Sequence, residues 1–437
     1  MKRISSIIAI LLTTLAAAAQ LPASSDVMDV TARVADRFIA RYPDVGAKSH
    51  VGGKTRNSKI WTRGVFYEGL LNAYRENPRE DWLRYCTDWG EFHNWVSSSD
   101  TEAKNHNADY QCCGQAYLQM YLMDPSQTVR MEHIRMRIDN MMATGRVNFW
   151  YWVDAIQMAM PVMAMLGDIT GDPAYWTRMY EMYAYTRDSQ GGDKRGGGRP
   201  LFNTSTGLWY RDYKFDPPYR DLTEPDKDCY WSRGNGWAYM ALARVMQFTP
   251  ATESHRDTYA ADFIAMSRGL KDCQRPDGSW SVSLAAPLSP AGSEGPEMTG
   301  TSLFVGGMAW GVRTGLLDAD TYLPVIAAGW QSMASAIHPD GKVGYLQGTG
   351  SSPEDGAPIT YDTDPDFEDF GVGCWLWGAA EVHALAAAIE EGQSVITSPA
   401  VTGTAGAYHD LLGRRIDHPV PGHIYIHRGR CVVYRLK

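Results

Sequence analysis

Between about residues 27 and 388, apolar side chains recur every three to four positions in blocks separated by Gly- and Pro-marked loops, and alternating strand patterns are scarce. This periodicity predicts helices over 27–42, 64–76, 113–123, 154–170, 236–248, 259–273, 302–317, 322–337 and 374–391. Several, such as "DAIQMAMPVMAMLGDIT" and "SLFVGGMAWGVRTGLL", are apolar on most faces, so they belong inside a helix-on-helix structure.

A weak repeat organises these blocks. "RPDGSWSVSL" begins at Arg275 and "HPDGKVGYLQ" at His338, 63 residues later; each follows a helix and leads through a Gly-, Ser- and Pro-rich loop to "GTSLFVGGMAWG" or "GVGCWLWGAAEV". One helical hairpin plus a long loop fills that spacing, so a helical region of about 360 residues holds roughly six hairpins. The fold class expected is therefore all-α, an (α/α)6 barrel in which six hairpins close into a toroid of inner and outer helices. An open solenoid competes, but its repeats are regular and its loops short, and these are neither. Past Gln393 the chain becomes rich in β-branched and turn residues, which reads as a small β-structured tail over 394–437, leaving 21–393 to the helical domain.

Composition narrows the function. The first twenty residues, "MKRISSIIAILLTTLAAAAQ", pair two basic residues with an apolar run and a small-residue exit, the pattern of a cleaved secretory signal, so the protein is expected in the periplasm, at the cell surface or secreted. No later stretch offers the 18 or more uninterrupted apolar residues of a membrane span. Seven scattered cysteines do not make a disulfide scaffold in a chain of 437 residues. Neither Cys-x-x-Cys nor His-Glu-x-x-His occurs and the eleven histidines do not pair at ligand spacing, so a metal site has little support. A net charge of −9 without a basic block argues against nucleic acid, while an anionic small substrate met by local Arg or Lys is compatible.

Candidate chemistry begins with "NFWYWVDAIQMAMP", where Asp154 interrupts an aromatic and aliphatic run. A carboxylate there is costly unless paired, hydrogen-bonded or protonated. Asp154 reads either as a helix cap or as a carboxylic acid that Trp150, Tyr151 and Trp152 keep partly protonated, the condition for a general acid. Asp109, in "NHNADYQCCGQAYLQMY", precedes another helix and has the same two readings; Asp139, Asp168 and Asp172 are weaker candidates, the last two in an ordinary turn. In "CYWSRGNGWAYMAL", Arg233 suits a carboxylate and Trp231 and Trp237 offer flat faces for sugar rings, although the same residues suit a tight turn pinned by buried tryptophans. "GLWYRDY" adds Tyr210, Arg211 and Asp212 as a further polar cluster, and "GGDKRGGGRP" reads as surface loop.

Together, "NADYQCCGQAYLQMY", "WYWVDAIQMAMPVMAMLGDITGDPAYW", "YWSRGNGWAYMALARVMQ", "RPDGSW", "TGTSLFVGGMAWGVRTGLL" and "DFGVGCWLWGAAEV" resemble, in order and spacing, the unsaturated rhamnogalacturonyl hydrolases of glycoside hydrolase family 105, with the family 88 unsaturated glucuronyl hydrolases as more distant relatives. The resemblance implies an (α/α)6 barrel without metal or organic cofactor, acting on oligosaccharides that end in a 4,5-unsaturated uronate. It implies that Asp154 is the catalytic acid/base, Asp109 the second active-site carboxylate, and Trp231, Arg233 and Trp237 substrate contacts; Trp152 of the aromatic wall and Tyr210 and Arg211 of the polar cluster are further candidates for binding substrate. The sequence departs from the family at Arg211, where many members carry His, and in lacking a His between His133 and Asp154. The alternatives are an inverting (α/α)6 glycosidase, whose two carboxyls would stand roughly 6.5 to 9.5 Å apart, and a non-catalytic glycan-binding protein. The oligomeric state and the sugar after the uronate are not legible.

Overall fold

The computed structural model describes residues 21–51, 54–97, 105–219, 226–285, 295–356, 359–362 and 369–392, with backbone only at 49–51 and 54 and in five short strands between 401 and 435. The export-signal segment expected at 1–20 lies outside the described residues.

Twelve α-helices carry the described part of the chain: α1 Ser24–Arg41, α2 Trp61–Glu76, α3 Glu80–Phe92, α4 Cys113–Met123, α5 Val129–Ala143, α6 Asp154–Thr170, α7 Ala174–Ser189, α8 Ser232–Phe248, α9 Arg256–Asp272, α10 Met298–Arg313, α11 Ala319–Ser335 and α12 Asp369–Glu390. The even-numbered helices pack on one another in chain order, and α12 packs back on α2, which closes an inner ring. Each odd-numbered helix lies outside this ring: α1 covers α12, α3 covers α2, α5 covers α4, α7 covers α6, α9 covers α8 and α11 covers α10. The fold is the (α/α)6 toroid.

Sequence explains the two layers. Inner helices are covered all round, and in α6, α8 and α10 nearly every residue is buried. Where the ring closes, a Cβ on Gly69 of α2 would run into the Gly373 carbonyl of α12, so only glycine permits that approach. Outer helices bury one stripe: α5 hides Ile134, Arg137, Ile138 and Met141, and α7 hides Tyr175, Met179, Met182, Tyr183 and Thr186. α12 is the one described helix long and apolar enough to cross a membrane, yet 78% of its apolar window is buried inside the protein, the environment of an inner-ring helix.

Both Pro-Asp-Gly turns join an outer helix to the segment before the next inner one. Asp277 and Asp340 each accept the backbone N–H two residues on, at 3.0 Å, and Gly278 and Gly341 take φ of 83° and 91°. After α12, strands β1 Val401–Thr402, β2 Tyr408–His409, β3 Arg415–Ile416, β4 Ile424–His427 and β5 Arg430–Arg435 form a sheet in the order β1-β5-β4-β2-β3, with β1 parallel to β5 and the other pairs antiparallel.

Candidate active site

Alternation of outer and inner helices makes the inner six parallel, so their N-termini gather at one end of the ring. Contacts across that end confirm it: Trp61, opening α2, lies 5.2 Å from Phe370 of α12, and the Arg233 guanidinium of α8 lies 5.2 Å from the same ring. Six positive dipole ends and several arginines favour an anionic guest there.

Asp154 is the first residue of α6. Val153, not Asp154, occupies the N-cap position, and no side chain caps this helix. The chain just before it is held in register: Trp152 bridges Asp212 in antiparallel fashion, and the Val153 N–H donates to the Arg211 carbonyl at 2.8 Å. This pairing brings Arg211 to the carboxylate, with its Nε 3.8 Å from Asp154 Oδ2, while its Nη1 donates to Asp212 Oδ2. Asp154 is 9% exposed, and Oδ2 is buried without a hydrogen bond among the described residues. The capping reading of Asp154 therefore fails. Its carboxylate serves no structural purpose that the fold reveals.

Asp109 sits in a short 3-10 turn, Ala108–Tyr110, that packs against the start of α6. The turn is capped by Asn107, whose side chain accepts from the Asp109 N–H at 2.9 Å, so the Asp109 carboxyl is not a cap either. Burial, reinforced by the Asp154 charge, pushes the Asp109 carboxyl up to about 6 against the opposing pull of Arg56 and Arg211. Half of these side chains are then protonated near pH 6. Tyr151 belongs to the same cluster: its hydroxyl is raised by burial and by Asp109 and lowered by Arg211.

The remaining sequence candidates separate into three groups. Trp231 and Arg233 join the carboxylate cluster, since the Arg211 guanidinium lies 5.8 Å and that of Arg233 4.7 Å from the Trp231 ring. Arg233 also feels the Asp154 charge, but its Nη1 donates to the backbone carbonyls of Gln347 and Gly348, both at 3.1 Å. Arg233 thus braces a loop as well as facing the cluster. Trp152 is 6% exposed, its ring tilted against Tyr151 at 4.3 Å, so Tyr151 is the more open face of the aromatic wall and Trp150 is buried in the core. Tyr210 turns its hydroxyl to Asp228 Oδ2 at 2.6 Å and stacks on Tyr230 at 5.0 Å, in a separate polar cluster with Asn203. Trp237 has no exposed surface and packs edge-on to Trp61 at 6.3 Å, which makes it a core residue rather than a face for sugar.

Two participants were not singled out by sequence reasoning. Arg56, on the short strand Lys54–Arg56, opposes the rise at Asp109. Gln347 accepts from Trp231 Nε1 at 2.9 Å and fixes the loop that Arg233 braces. Neither carries a local signal, because each reaches the cluster from a distant part of the chain. Asp212 was visible in "GLWYRDY", but its part as the anchor of Arg211 appears only once 208–212 lies beside 150–153.

A toroid of six helical hairpins with two carboxyls at the N-terminal mouth of its inner ring is an architecture that glycoside hydrolases use. Residues 30–386 match the model of Glycosyl Hydrolase Family 88. The chain is 30% identical over 342 residues, 74% of its length and 84% of the relative's, to an unsaturated 3S-rhamnoglycuronyl hydrolase of Formosa agariphila. It is 26% identical, over 75% of its length and 78% of the relative's, to a protein of the same name from an Alteromonas species. A solved family 88 glycosyl hydrolase from Bacteroides vulgatus superposes with a TM-score of 0.73 at 29% identity, covering 83% of this chain and all of that one. The chain belongs to Glycosyl Hydrolase Family 88. Its motifs had pointed to family 105 with family 88 beside it.

Proposed function

We propose that this glycoside hydrolase removes a 4,5-unsaturated uronate from the non-reducing end of oligosaccharides left by polysaccharide lyases, by hydrating the C4=C5 double bond. The observation that carries this reading is the pair at the mouth of the ring: Asp154 and Asp109 cap nothing, and burial beside Asp154 raises the Asp109 carboxyl to about 6, within reach of both acid and base forms. Such a mouth can protonate an enol ether while its arginines receive the uronate carboxylate.

A proton passes from the carboxyl pair, through Asp154, to C4, and the positive charge left at C5 is shared with the ring oxygen. Water adds to C5 and returns its proton to the carboxylate. The resulting hemiketal opens to a ketone at C5, leaving a hemiacetal at C1, and that hemiacetal expels the neighbouring sugar as an alcohol. One carboxyl acts first as acid and then as base, which calls for a proton affinity near working pH. The two relatives named for 3S-rhamnoglycuronyl substrates support rhamnose as the neighbouring sugar. Export, read from the first twenty residues, fits an enzyme that meets polysaccharide fragments outside the cytoplasm.

The test is the ultraviolet absorbance of unsaturated disaccharides made by lyase digestion of rhamnose- and glucuronate-containing polysaccharides. Absorbance should fall with the wild type and fall on the order of 10³-fold more slowly with Asp154→Asn, the range for loss of a positioned acid/base. A rise on intact polysaccharide would instead mark β-elimination. No change on any unsaturated substrate would favour a saturated-sugar glycosidase or a binding protein.

A further inference from the structure

Below the mouth, the inner ring contains a buried polar lattice that no step above uses. Glu68, on α2, is fully buried. Its Oε2 accepts from Gln157 Nε2 at 3.0 Å, and its Oε1 accepts from the Cys112 thiol at 3.5 Å. Cys112 stands three residues after Asp109, and Gln157 three residues after Asp154. In helical backbone that spacing stacks two side chains one turn apart on the same face.

Gln157 is itself fastened by a second device. Pro161 lies inside α6 and has no N–H to give to the carbonyl four residues earlier, which is that of Gln157. Gln115 of α4 fills the gap, its Nε2 donating to the Gln157 carbonyl at 2.6 Å, while its Oε1 accepts from Arg244 Nε of α8 at 3.1 Å. Four inner helices are therefore tied one turn beneath the two carboxylates.

We propose that Glu68 is a positioning residue: by holding Cys112 and Gln157 with its two oxygens, it sets how closely the Asp109 turn approaches the head of α6, and so the geometry of the carboxyl pair. This inference rests on the proposed hydration reaction for its kinetic readout but not for its structural one. Glu68 makes no hydrogen bond to Asp109 or Asp154, and its charge is not among the influences that move the Asp109 proton. Any effect on the pair must then travel through backbone position. Burial raises Glu68 itself to about 7 against the Arg244 charge and its two hydrogen bonds, so a neutral side chain of the same shape suits this position.

The experiment compares Glu68→Gln, Glu68→Ala and Gln157→Leu with the wild type. One readout is kcat and KM per folded protein on the unsaturated disaccharides. The other is the titration of Asp109 by 13C NMR with labelled aspartate, assigned by Asp109→Asn and made without substrate. Glu68→Gln keeps the shape and can bond both partners once the Gln157 amide turns over, so it should stay within about threefold of wild-type kcat. Glu68→Ala should lose more than thirtyfold in kcat with KM changed less than threefold, and the Asp109 titration should move down toward ordinary aspartate. Should Glu68→Ala not fold, Gln157→Leu, which cuts one arm only, should lose about tenfold in kcat and move Asp109 the same way. Wild-type kcat and an unmoved Asp109 titration in the folded variants would overturn the assignment. If the wild type ignores unsaturated substrates altogether, the proposed reaction falls while the titration still decides the role of Glu68.

Discussion

Replacing Asp109 by Asn should stabilise the folded protein, by an amount that depends on pH. Burial and the neighbouring Asp154 charge raise the Asp109 carboxyl from 3.8 to about 6 in the folded state. Each tenfold change in proton affinity corresponds to about 1.4 kcal/mol, so ionising this side chain in place costs at most about 3 kcal/mol. The folded state binds this proton more tightly than the unfolded chain, so between pH 3.8 and about 6 wild-type stability falls as pH rises. Asn carries no proton to lose and escapes that fall. The advantage of Asp109→Asn should therefore be about 2 kcal/mol greater at pH 7.5 than at pH 4.5, most of the rise occurring below pH 6.5. Urea unfolding of both proteins at the two pH values measures it, with the m-value checked for constancy. The same variant should be inactive, since stability and catalysis compete at this position. A pH-independent difference, or a variant less stable than wild type at pH 7.5, would refute the claim that Asp109 is ionised against its surroundings.

Two further outcomes follow from side chains whose hydrogen-bond partners only the fold reveals. Arg233→Ala should raise KM and also cost about 2 to 4 kcal/mol in urea unfolding, because three Nη1 hydrogen bonds to Gln347 and Gly348 disappear; a pure rise in KM with unchanged stability would confine Arg233 to substrate binding. Glu381→Gln, far down the inner ring, should leave kcat intact and cost about 2 to 3 kcal/mol, since Glu381 bridges Arg313 at 2.6 Å and Arg75 at 3.1 Å and both arginines reach solvent. Burial disfavours the Glu381 charge, but Arg313 and Arg75 prevail and hold the carboxyl below its usual 4.5. Its contribution is thus complete above pH 4.5 and fades in more acidic solution, where the two proteins should converge.

What the sequence revealed follows from where each helix sits. Inner helices such as 154–170 and 302–317 are apolar on nearly every face and stand out. α3, α5 and α7 do not stand out because each buries only one narrow stripe, in α3 and α5 within a run of charge: α5 reads "VRMEHIRMRIDNMMA", with four of its fifteen residues buried. The ring could be anticipated from the paired Pro-Asp-Gly turns, which adopt the same Asx geometry in both copies. The carboxyl pair was legible because Asp154 stands alone in an apolar run. The choice between capping and catalysis was not, since both readings place an aspartate at a helix start and only hydrogen-bond partners distinguish them. Trp237 misled for the complementary reason: a tryptophan in a glycine-rich motif looks the same whether it faces a sugar or Trp61 and Phe370.

The buried lattice shows why an apolar ring carries so many polar side chains at its centre. An uninterrupted apolar α6 would pack on its neighbours without fixing its rotation, and Pro161 would leave one carbonyl unsatisfied in the core. Gln115 answers that carbonyl, Arg244 answers Gln115, and Glu68 lies within the field of Arg244 while bonding the residues one turn below Asp109 and Asp154. Each group is expensive to bury alone and inexpensive only in one mutual arrangement, so the lattice selects a single rotation for every inner helix it touches. Under the proposed hydration, two carboxyls that share protons with one carbon centre require that uniqueness more than they require stability. The polar core is therefore best understood as the means by which a cyclic helical fold holds its mouth in one geometry.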